Sequence, residues 1–282
     1  MDNKKEINEE ILPIVKWVGG KRQLQDVIIP LIPKDIDTYV EPFLGGGAIL
    51  FGLKPNKAII NDCNKELMNV YKVVKDNHEN LLDKLKVHDK NNSKEYYYNI
   101  RKLDRTDDYN NLDDVTKASR LLYLNKTCFN GLYRVNSKGQ FNSAYGKYKN
   151  PNIINKHDIE AVSRYLNNNA IKIYVGDYEE VLKDLDKNDF VYLDPPYMPI
   201  SETSSFTGYT KDKFKDMEQE RLKKQCDELN KKGIKFLLSN SDHPYIRDLY
   251  KDYVIETVGA KRSINRDITK RGKINELLIR NY

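Results

Sequence analysis

Short apolar runs recur along this chain, separated by stretches with helical spacing of apolar residues, and the pattern predicts an α/β fold. Strand signals fall at 38–42, 57–61, 171–175, 190–193 and 234–240. The run Phe190-Val191-Tyr192-Leu193 is apolar at every position, which predicts a buried strand. Helix signals follow at 48–53, 66–74, 179–185 and 218–232. In the last, Leu222, Cys226 and Leu229 share one face and Gly233 is placed to cap the end. The runs 253–258 and 274–280 predict a terminal antiparallel pair. Between 78 and 166 the alternation stops. That stretch is polar, rich in tyrosine, helical in character and poor in β-branched residues. It predicts an inserted second domain, leaving 1–77 and 167–282 as one split domain. Inside it, Lys138-Gly139 between Val135 and Phe141 predicts the tip of a β-hairpin.

Composition narrows the class without choosing within it. Hydrophobic residues at 39% and charged residues at 32% describe a soluble globular protein. No apolar run approaches the roughly 20 residues of a spanning helix, and the first residues hold no secretory apolar stretch. A cytoplasmic protein is expected. Cys63, Cys128 and Cys226 have no metal-ligand spacing and read as free thiols, so no metal is expected. The chain has 48 basic and 42 acidic residues, a net charge of +6. That permits a polyanionic partner. The 20 tyrosines offer platforms that could stack on bases.

Candidate chemistry concentrates at strand ends. Asp194-Pro195-Pro196-Tyr197 closes the 190–193 strand, because two prolines cannot donate ladder bonds. In open α/β sheets that edge is where ligands bind. One carboxylate and one stiffly held carbonyl, that of Pro195, can accept both hydrogens of an exocyclic amino group, and Tyr197 can stack on the ring that carries it. The plainer alternative is a strand-ending turn with an exposed tyrosine. The run Glu41-Pro42-Phe43-Leu44-Gly45-Gly46-Gly47 lies between a strand and a helix, as in the opening of a nucleotide-binding unit. Asp62 ends the second strand, where an acid suits a ribose diol. It could instead, or also, cap the helix beginning near Lys65. Gly19-Gly20-Lys21-Arg22 fails the P-loop pattern and predicts a turn opening a helix at Lys21. Beside it Trp17 either borders a site or packs on the core. Arg134 and Asn136 are of the types that read guanine and adenine edges, and Lys138, Lys147 and Lys149 can meet phosphates. The run 198–211, rich in Ser, Thr and Gly, is a candidate lid. Six basic residues between 261 and 273 are either a solvated connection or a phosphate contact.

Taken together, from Lys16 to Leu278, these segments resemble the Dam-type DNA adenine-N6 methyltransferases, and they occur in that family's order. The resemblance implies a class I S-adenosylmethionine-binding fold, a mainly parallel sheet with an antiparallel final hairpin, and a target-recognition insert. It implies S-adenosyl-L-methionine as methyl donor, S-adenosyl-L-homocysteine as product, and no metal. The family's cofactor site falls on Trp17, Lys21, Glu41, Pro42, Phe43, Gly45, Gly47 and Asp62. Asp177 and Tyr178 match its contacts to the cofactor's adenine, and Asp194 adjoins both sites. Asp194, Pro195, Pro196 and Tyr197 match its catalytic loop. DNA contacts fall on Lys16, Phe129, Asn130, Arg134, Asn136, Lys138, Asn142, Ala144 and Tyr145, and on Lys261, Arg262, Ser263 and Asn265. Phe129 and Asn130 resemble the residues that fill the space left by a flipped base, and Arg134 resembles its guanine reader. Where the family has Phe-Asn-Val-Pro-Tyr/Phe-Gly, this chain has Phe141-Asn142-Ser143-Ala144-Tyr145-Gly146. Without the proline the loop is expected to be softer.

The reaction so implied is methyl transfer to N6 of an adenine flipped out of double-stranded DNA, within GATC or a related short site. The chain would act as a monomer or weak dimer, associated with the nucleoid, as an orphan enzyme or beside an independently acting restriction endonuclease. An RNA or protein methyltransferase shares the cofactor fold, and a non-catalytic DNA-binding module is a different class. Asp194, where protein-glutamine enzymes usually carry Asn, and the basic insert favour DNA.

Overall fold

The computed structural model describes residues 10–199, 216–261 and 273–282. Its strands are β1 (Tyr39–Glu41), β2 (Lys57–Ile60), β3 (Ala170–Ile173), β4 (Phe190–Leu193), β5 (Lys235–Ser241), β6 (Val254–Lys261) and β7 (Lys273–Arg280). They form one sheet in the order β3-β2-β1-β4-β5-β7-β6. The first five run parallel, and β7 is antiparallel to both β5 and β6. The α/β class and the antiparallel terminal pair are as the apolar pattern predicts.

Why the central runs are apolar throughout is visible in their packing. Successive side chains of a strand face opposite sides of the sheet. Phe190 and Tyr192 enter one hydrophobic cluster, whereas Val191 and Leu193 enter the other. Tyr39 and Val40 divide in the same way. A strand covered on both faces has no polar side. Strand order reverses between β1 and β4, so the chain leaving each opens a crevice at the carboxyl edge.

Helices supply the covering layers. A 3-10 turn, Lys21–Leu24, leads into the single turn α1 (Gln25–Ile28), a shorter element than a helix opening at Lys21 suggests. Then come α2 (Ala48–Leu53), α3 (Lys65–Asn91), α4 (Lys94–Lys102), α5 (Asp114–Thr127), α6 (Lys156–Asn168), α7 (Asp216–Lys231) and α8 (Pro244–Leu249). The helix expected at 179–185 is a 3-10 turn, Tyr178–Leu182, capped by Asp177. In α7, Leu222, Cys226 and Leu229 are buried, and Gly233 follows at φ +72°.

Between 78 and 166 the described residues add no strand to the sheet, only the isolated antiparallel bridges Cys128↔Tyr145 and Val135↔Phe141. The stretch begins inside α3, where Asn77 leaves helical geometry at φ −145° and ψ 35°. One hydrophobic cluster runs from Tyr39 and Phe190 of the sheet through Leu81, Tyr97, Tyr123 and Leu166. Residues 78–166 and the sheet therefore share a core. No helix of the described residues is long and apolar enough to cross a membrane. Of the 198–211 run only Met198 and Pro199 are described. Arg262, Ser263 and Asn265 lie outside the described residues, as does the side chain of Lys261.

Candidate active site and nucleic-acid interface

The loop leaving β1 is shaped by backbone bonds to the end of β2. Asn61 N donates to Glu41 O at 3.0 Å, and Leu44 N donates to Asn61 O at 2.9 Å. The buried Asn61 amide then donates to Pro42 O at 3.0 Å and to Gly176 O at 3.1 Å, joining the loops after β1 and β3. Gly45 and Gly47 have φ of +51° and +68°. A Cβ on Gly47 would lie 2.8 Å from the Phe51 ring, and one on Gly45 would lie 3.0 Å from Trp17. Glycine is thus required by conformation and by space together.

Asp62 holds this loop from below. Its Oδ2 accepts from Gly45 N at 3.0 Å and its Oδ1 from Asn64 N at 2.9 Å. The cap of α3 is Asn64, whose side chain accepts from Leu67 N, so the capping alternative for Asp62 is set aside. Burial raises the Asp62 carboxyl above its ordinary range, against the two N–H bonds. Trp17 covers the glycines and stacks on Tyr133 of the insert, with ring centres 4.9 Å apart. Phe43 lies 5.0 Å from the ring of Tyr178. Asp177 accepts from Arg221 Nη2 at 2.8 Å and Nη1 at 2.9 Å. Burial opposes the Asp177 charge, yet Arg221 and the Glu179 N–H hold its carboxyl below the usual range.

Asp194 leaves the end of β4 and meets Lys21. Lys21 Nζ lies 2.8 Å from Asp194 Oδ1 and donates to Gly19 O at 2.6 Å. It also sits 4.6 Å from the centre of the Tyr197 ring. Tyr197 is half-buried rather than exposed, and its hydroxyl donates to Glu276 Oε2 on β7 at 2.8 Å. Burial pushes the Asp194 carboxyl up to about 6, opposed by Lys21 and assisted by the charge of Glu276. Glu41, at the end of β1, is 2% exposed and accepts from Tyr39 Oη at 2.9 Å. Burial, with the charge of Asp194, pushes it up to about 8. Burial thus raises both carboxyls, Glu41 further than Asp194, and Lys21 opposes the rise at Asp194.

The backbone of this loop is clamped. Gln219 of α7 donates to Pro196 O at 3.1 Å and accepts from Asn240 Nδ2 at 3.0 Å. Met198 N donates to Asn240 Oδ1 at 3.3 Å, and Ser241 Oγ donates to Met198 O at 2.7 Å. The loop after Asp194 is thus carried on a fixed frame of side-chain bonds from α7 and β5.

Residues 134–142 form a hairpin, with Val135 bridged to Phe141. Asn136 N donates to Gln140 O and Asn142 N to Arg134 O, and Gly139 turns the tip at φ +77°. Arg134 is exposed, and its Nε donates to Asn142 Oδ1 at 2.9 Å. The amide oxygen of Asn136 accepts from Lys138 N and Gln140 N, so this side chain builds the tip. Lys138 and Ala144 are exposed, and Tyr145 lies 5.2 Å from Tyr97. Phe129 is 58% exposed, and Asn130 beside it has φ +58°. Lys16 Nζ lies 5.5 Å over the Tyr148 ring.

At 143–144, where the family's proline is missing, the backbone takes part in several hydrogen bonds. Ser143 Oγ donates to Leu132 O, and Ser143 O accepts from Tyr97 Oη and Arg101 Nη1. Ala144 O accepts from Phe129 N at 2.8 Å.

Asn61, Asn125, Gln219, Arg221 and Glu276 were not singled out by the sequence. For Gln219 a signal exists: it continues the stripe Leu222, Cys226, Leu229 one turn toward the N-terminus, a polar side chain on a buried face. For Glu276 the signal is an acid directly before the apolar run Leu277-Leu278-Ile279. Among the described residues no group of His, Cys, Asp or Glu is placed to hold a metal ion.

Known proteins resemble this chain along most of its length. Residues 17–264 match the family model for the D12 class N6 adenine-specific DNA methyltransferase. The chain is 48% identical over 270 residues to the Type II methyltransferase M1.LlaDCHI of Lactococcus lactis subsp. cremoris, covering 96% of this chain and 95% of that one. It is 44% identical to the Type II methyltransferase M.MjaIII of Methanocaldococcus jannaschii, covering 97% of this chain and all of the relative. It is 32% identical to the DNA adenine methylase of Haemophilus influenzae, covering 94% and 92%.

Proposed function

The chain belongs to the D12 class of N6 adenine-specific DNA methyltransferases, and from that premise we propose how its residues divide the work. Methyl transfer to adenine N6 in DNA is the family's reaction, and S-adenosylmethionine use follows from it. The observation that carries the assignment of roles is the clamped Asp194–Tyr197 loop with its carboxylate, its tyrosine ring and Lys21 in one crevice.

The glycine loop and its surroundings fit the cofactor. Gly45 and Gly47 leave backbone bare where a side chain would collide, Asp62 offers a half-buried carboxylate, and Phe43 with Tyr178 offers aromatic faces. Trp17, Lys21, Glu41, Pro42 and Asp177 complete the proposed set. When bound, S-adenosylmethionine supplies an electrophilic methyl group on a sulfonium.

Adenine N6 is a weak nucleophile because its lone pair is shared with the ring, and in a duplex it is out of reach. The base is therefore extruded. Tyr197 stacks on it, while Asp194 and the Pro195 carbonyl accept the two amino hydrogens and localise the lone pair on nitrogen. No enzyme nucleophile is required. The chain contributes orientation and electrostatics; the proton that the methylated amino group must lose would leave after the transfer, through Asp194 or to water, so Asp194 need be no strong base.

The insert, 78–166, serves as target-recognition domain for double-stranded DNA. Its exposed Arg134 reads a guanine, with Asn136 and Asn142 beside it, and Ala144 offers a methyl to a thymine. Phe129 and Asn130 fill the space left by the flipped base. Lys16, Lys138, Lys261, Arg262, Ser263 and Asn265 meet the backbone. The target is GATC or a related short site. The relatives at 48% and 44% identity are named Type II methyltransferases, which supports the same role here; a restriction endonuclease acting independently is the companion such a role would have.

The test is tritium transfer from labelled cofactor to duplex DNA and to RNA, with sequencing of the product for N6-methyladenine. Duplex DNA is expected to be labelled at one short site. Asp194→Ala is expected to keep DNA and cofactor binding and to lose methylation. Substantial turnover by that variant would sink the assignment.

A further inference from the structure

The ring of Tyr197 is held by a residue from the far end of the chain. Its hydroxyl donates to Glu276 Oε2 at 2.8 Å, while Lys21 Nζ lies 4.6 Å from the ring centre. We propose that Glu276 is a positioning residue for the target base, fixing through this bond the plane of the ring on which the extruded adenine stacks. The inference rests on the stacking role given to Tyr197 above.

Three observations carry it. The χ2 torsion of a tyrosine is broad, so a ring held only through its Cβ sweeps over a range of planes. A bond at the far end of the ring removes that freedom. Glu276 is also mounted rigidly. It pairs with Ser241 on one side and Val258 on the other, within a strand whose next residues, Leu277, Leu278 and Ile279, are buried. Finally, the partner across that rung works on the same loop, since Ser241 Oγ donates to Met198 O at 2.7 Å. One rung of the sheet thus fixes the ring of Tyr197 and the backbone of the next residue. The carboxylate stands at the start of the buried run Leu277-Leu278-Ile279, and the tyrosine hydroxyl is what it meets there.

The bond orders the ring before the base arrives, so its loss falls on base capture and turnover rather than on the cofactor. Freezing one such side chain corresponds to about three- to tenfold in rate. The experiment uses duplex DNA with 2-aminopurine at the target adenine, whose fluorescence rises on extrusion, together with kcat and KM on unmodified duplex. Glu276→Ala is expected to lower kcat about three- to tenfold and to change the bound 2-aminopurine signal, with the KM for cofactor unmoved. Glu276→Gln keeps an acceptor for the hydroxyl and is expected to recover most of the rate. Tyr197→Phe is expected to reproduce the loss, and the double variant Tyr197→Phe with Glu276→Ala to be no worse than either alone.

Multiplying losses in the double variant would overturn the proposal, as would Glu276→Gln as slow as Glu276→Ala or Tyr197→Phe as fast as the wild type. The Gln and Phe variants keep the decision open to measurement if Glu276→Ala does not fold. An active Asp194→Ala would bring down the stacking role and this inference together. With Asp194→Ala inert, a fully active Glu276→Ala brings down this inference alone.

Discussion

Lys21 Nζ stands 2.8 Å from Asp194 Oδ1, and the lysine side chain is only 5% exposed. The pair joins the N-terminal turn to the end of β4, two segments far apart in sequence. It also explains why an acid so buried stays within reach of ionisation. Burial and Glu276 push the Asp194 carboxyl up to about 6, and Lys21 is what opposes them.

Removing that cation is expected to move the acid limb of the reaction. In the proposed reaction Asp194 accepts an amino hydrogen, which its protonated form does less well. The rate should rise with pH through about 6 in the wild type. In Lys21→Met the opposing charge is gone, the Asp194 carboxyl rises further, and the limb moves to higher pH. A profile of kcat from pH 5 to 9 at saturating DNA and cofactor checks this. At pH 7 the variant should be slow and should recover part of its rate toward pH 9. An unmoved limb would mean that Lys21 does not govern the ionisation of Asp194.

Glu41 predicts a stability effect of definite sign. Its ordinary value is 4.5 and burial pushes it up to about 8 in the folded chain. Between those values the native state binds the extra proton. The contribution to stability is complete below about 4.5, falls as pH rises and is lost above about 8. The limiting slope for one group is about 1.4 kcal/mol per pH unit. Glu41→Gln cannot titrate, so its Tm should fall less than that of the wild type between pH 6 and pH 8.5. Equal falls in the two proteins would show that Glu41 is already ionised at pH 6.

These two residues also show where sequence reasoning stops. Lys21 and Glu41 stood out by position beside glycine turns, and the strands could be placed because each fully apolar run is divided between two faces of one sheet. The ion pair itself was not legible. Its partners are 173 positions apart, and nothing local says which strand ends meet. Asp62 illustrates a different limit. An acid before a helix is compatible with capping, and only the observed bond from Gly45 N, with Asn64 in the cap, decides for loop support. The clamp residues Gln219 and Glu276 were hidden because a polar residue on an apolar stripe resembles an imperfect pattern until its partner is seen. At 143–144 the bonds from Phe129, Tyr97 and Arg101 were likewise not legible, since their donors lie elsewhere in the chain.

Asn125 is expected to be a stability residue at the junction of insert and N-terminal segment. It is fully buried, accepts from Lys16 N at 2.8 Å, and donates to Lys16 O at 2.8 Å and Gly131 O at 3.1 Å. Asn125→Ala leaves these groups without partners, and a buried polar group so stranded costs about 1–3 kcal/mol. A loss of at least about 2 kcal/mol in denaturant unfolding is expected. Asn125→Asp should fare no better, because a carboxylate cannot donate to two carbonyls. Full stability in Asn125→Ala would mean that the junction is held elsewhere.

Arg134 is expected to control one base pair of the target. It is exposed at the hairpin, and the bond from its Nε to Asn142 Oδ1 aims the guanidinium without occupying its outer edge. A bidentate contact to guanine discriminates by roughly 1–3 kcal/mol, so Arg134→Ala should lose about that much on the preferred site and accept other bases at one position. Arg134→Lys should behave nearly the same, since an ammonium lacks the planar fork. Asn142→Ala should relax the same position by less, because it frees the arginine without removing it. Methylation rates on a set of duplexes differing at single base pairs separate these outcomes. Uniformly slower methylation with unchanged preference would instead make Arg134 a phosphate contact.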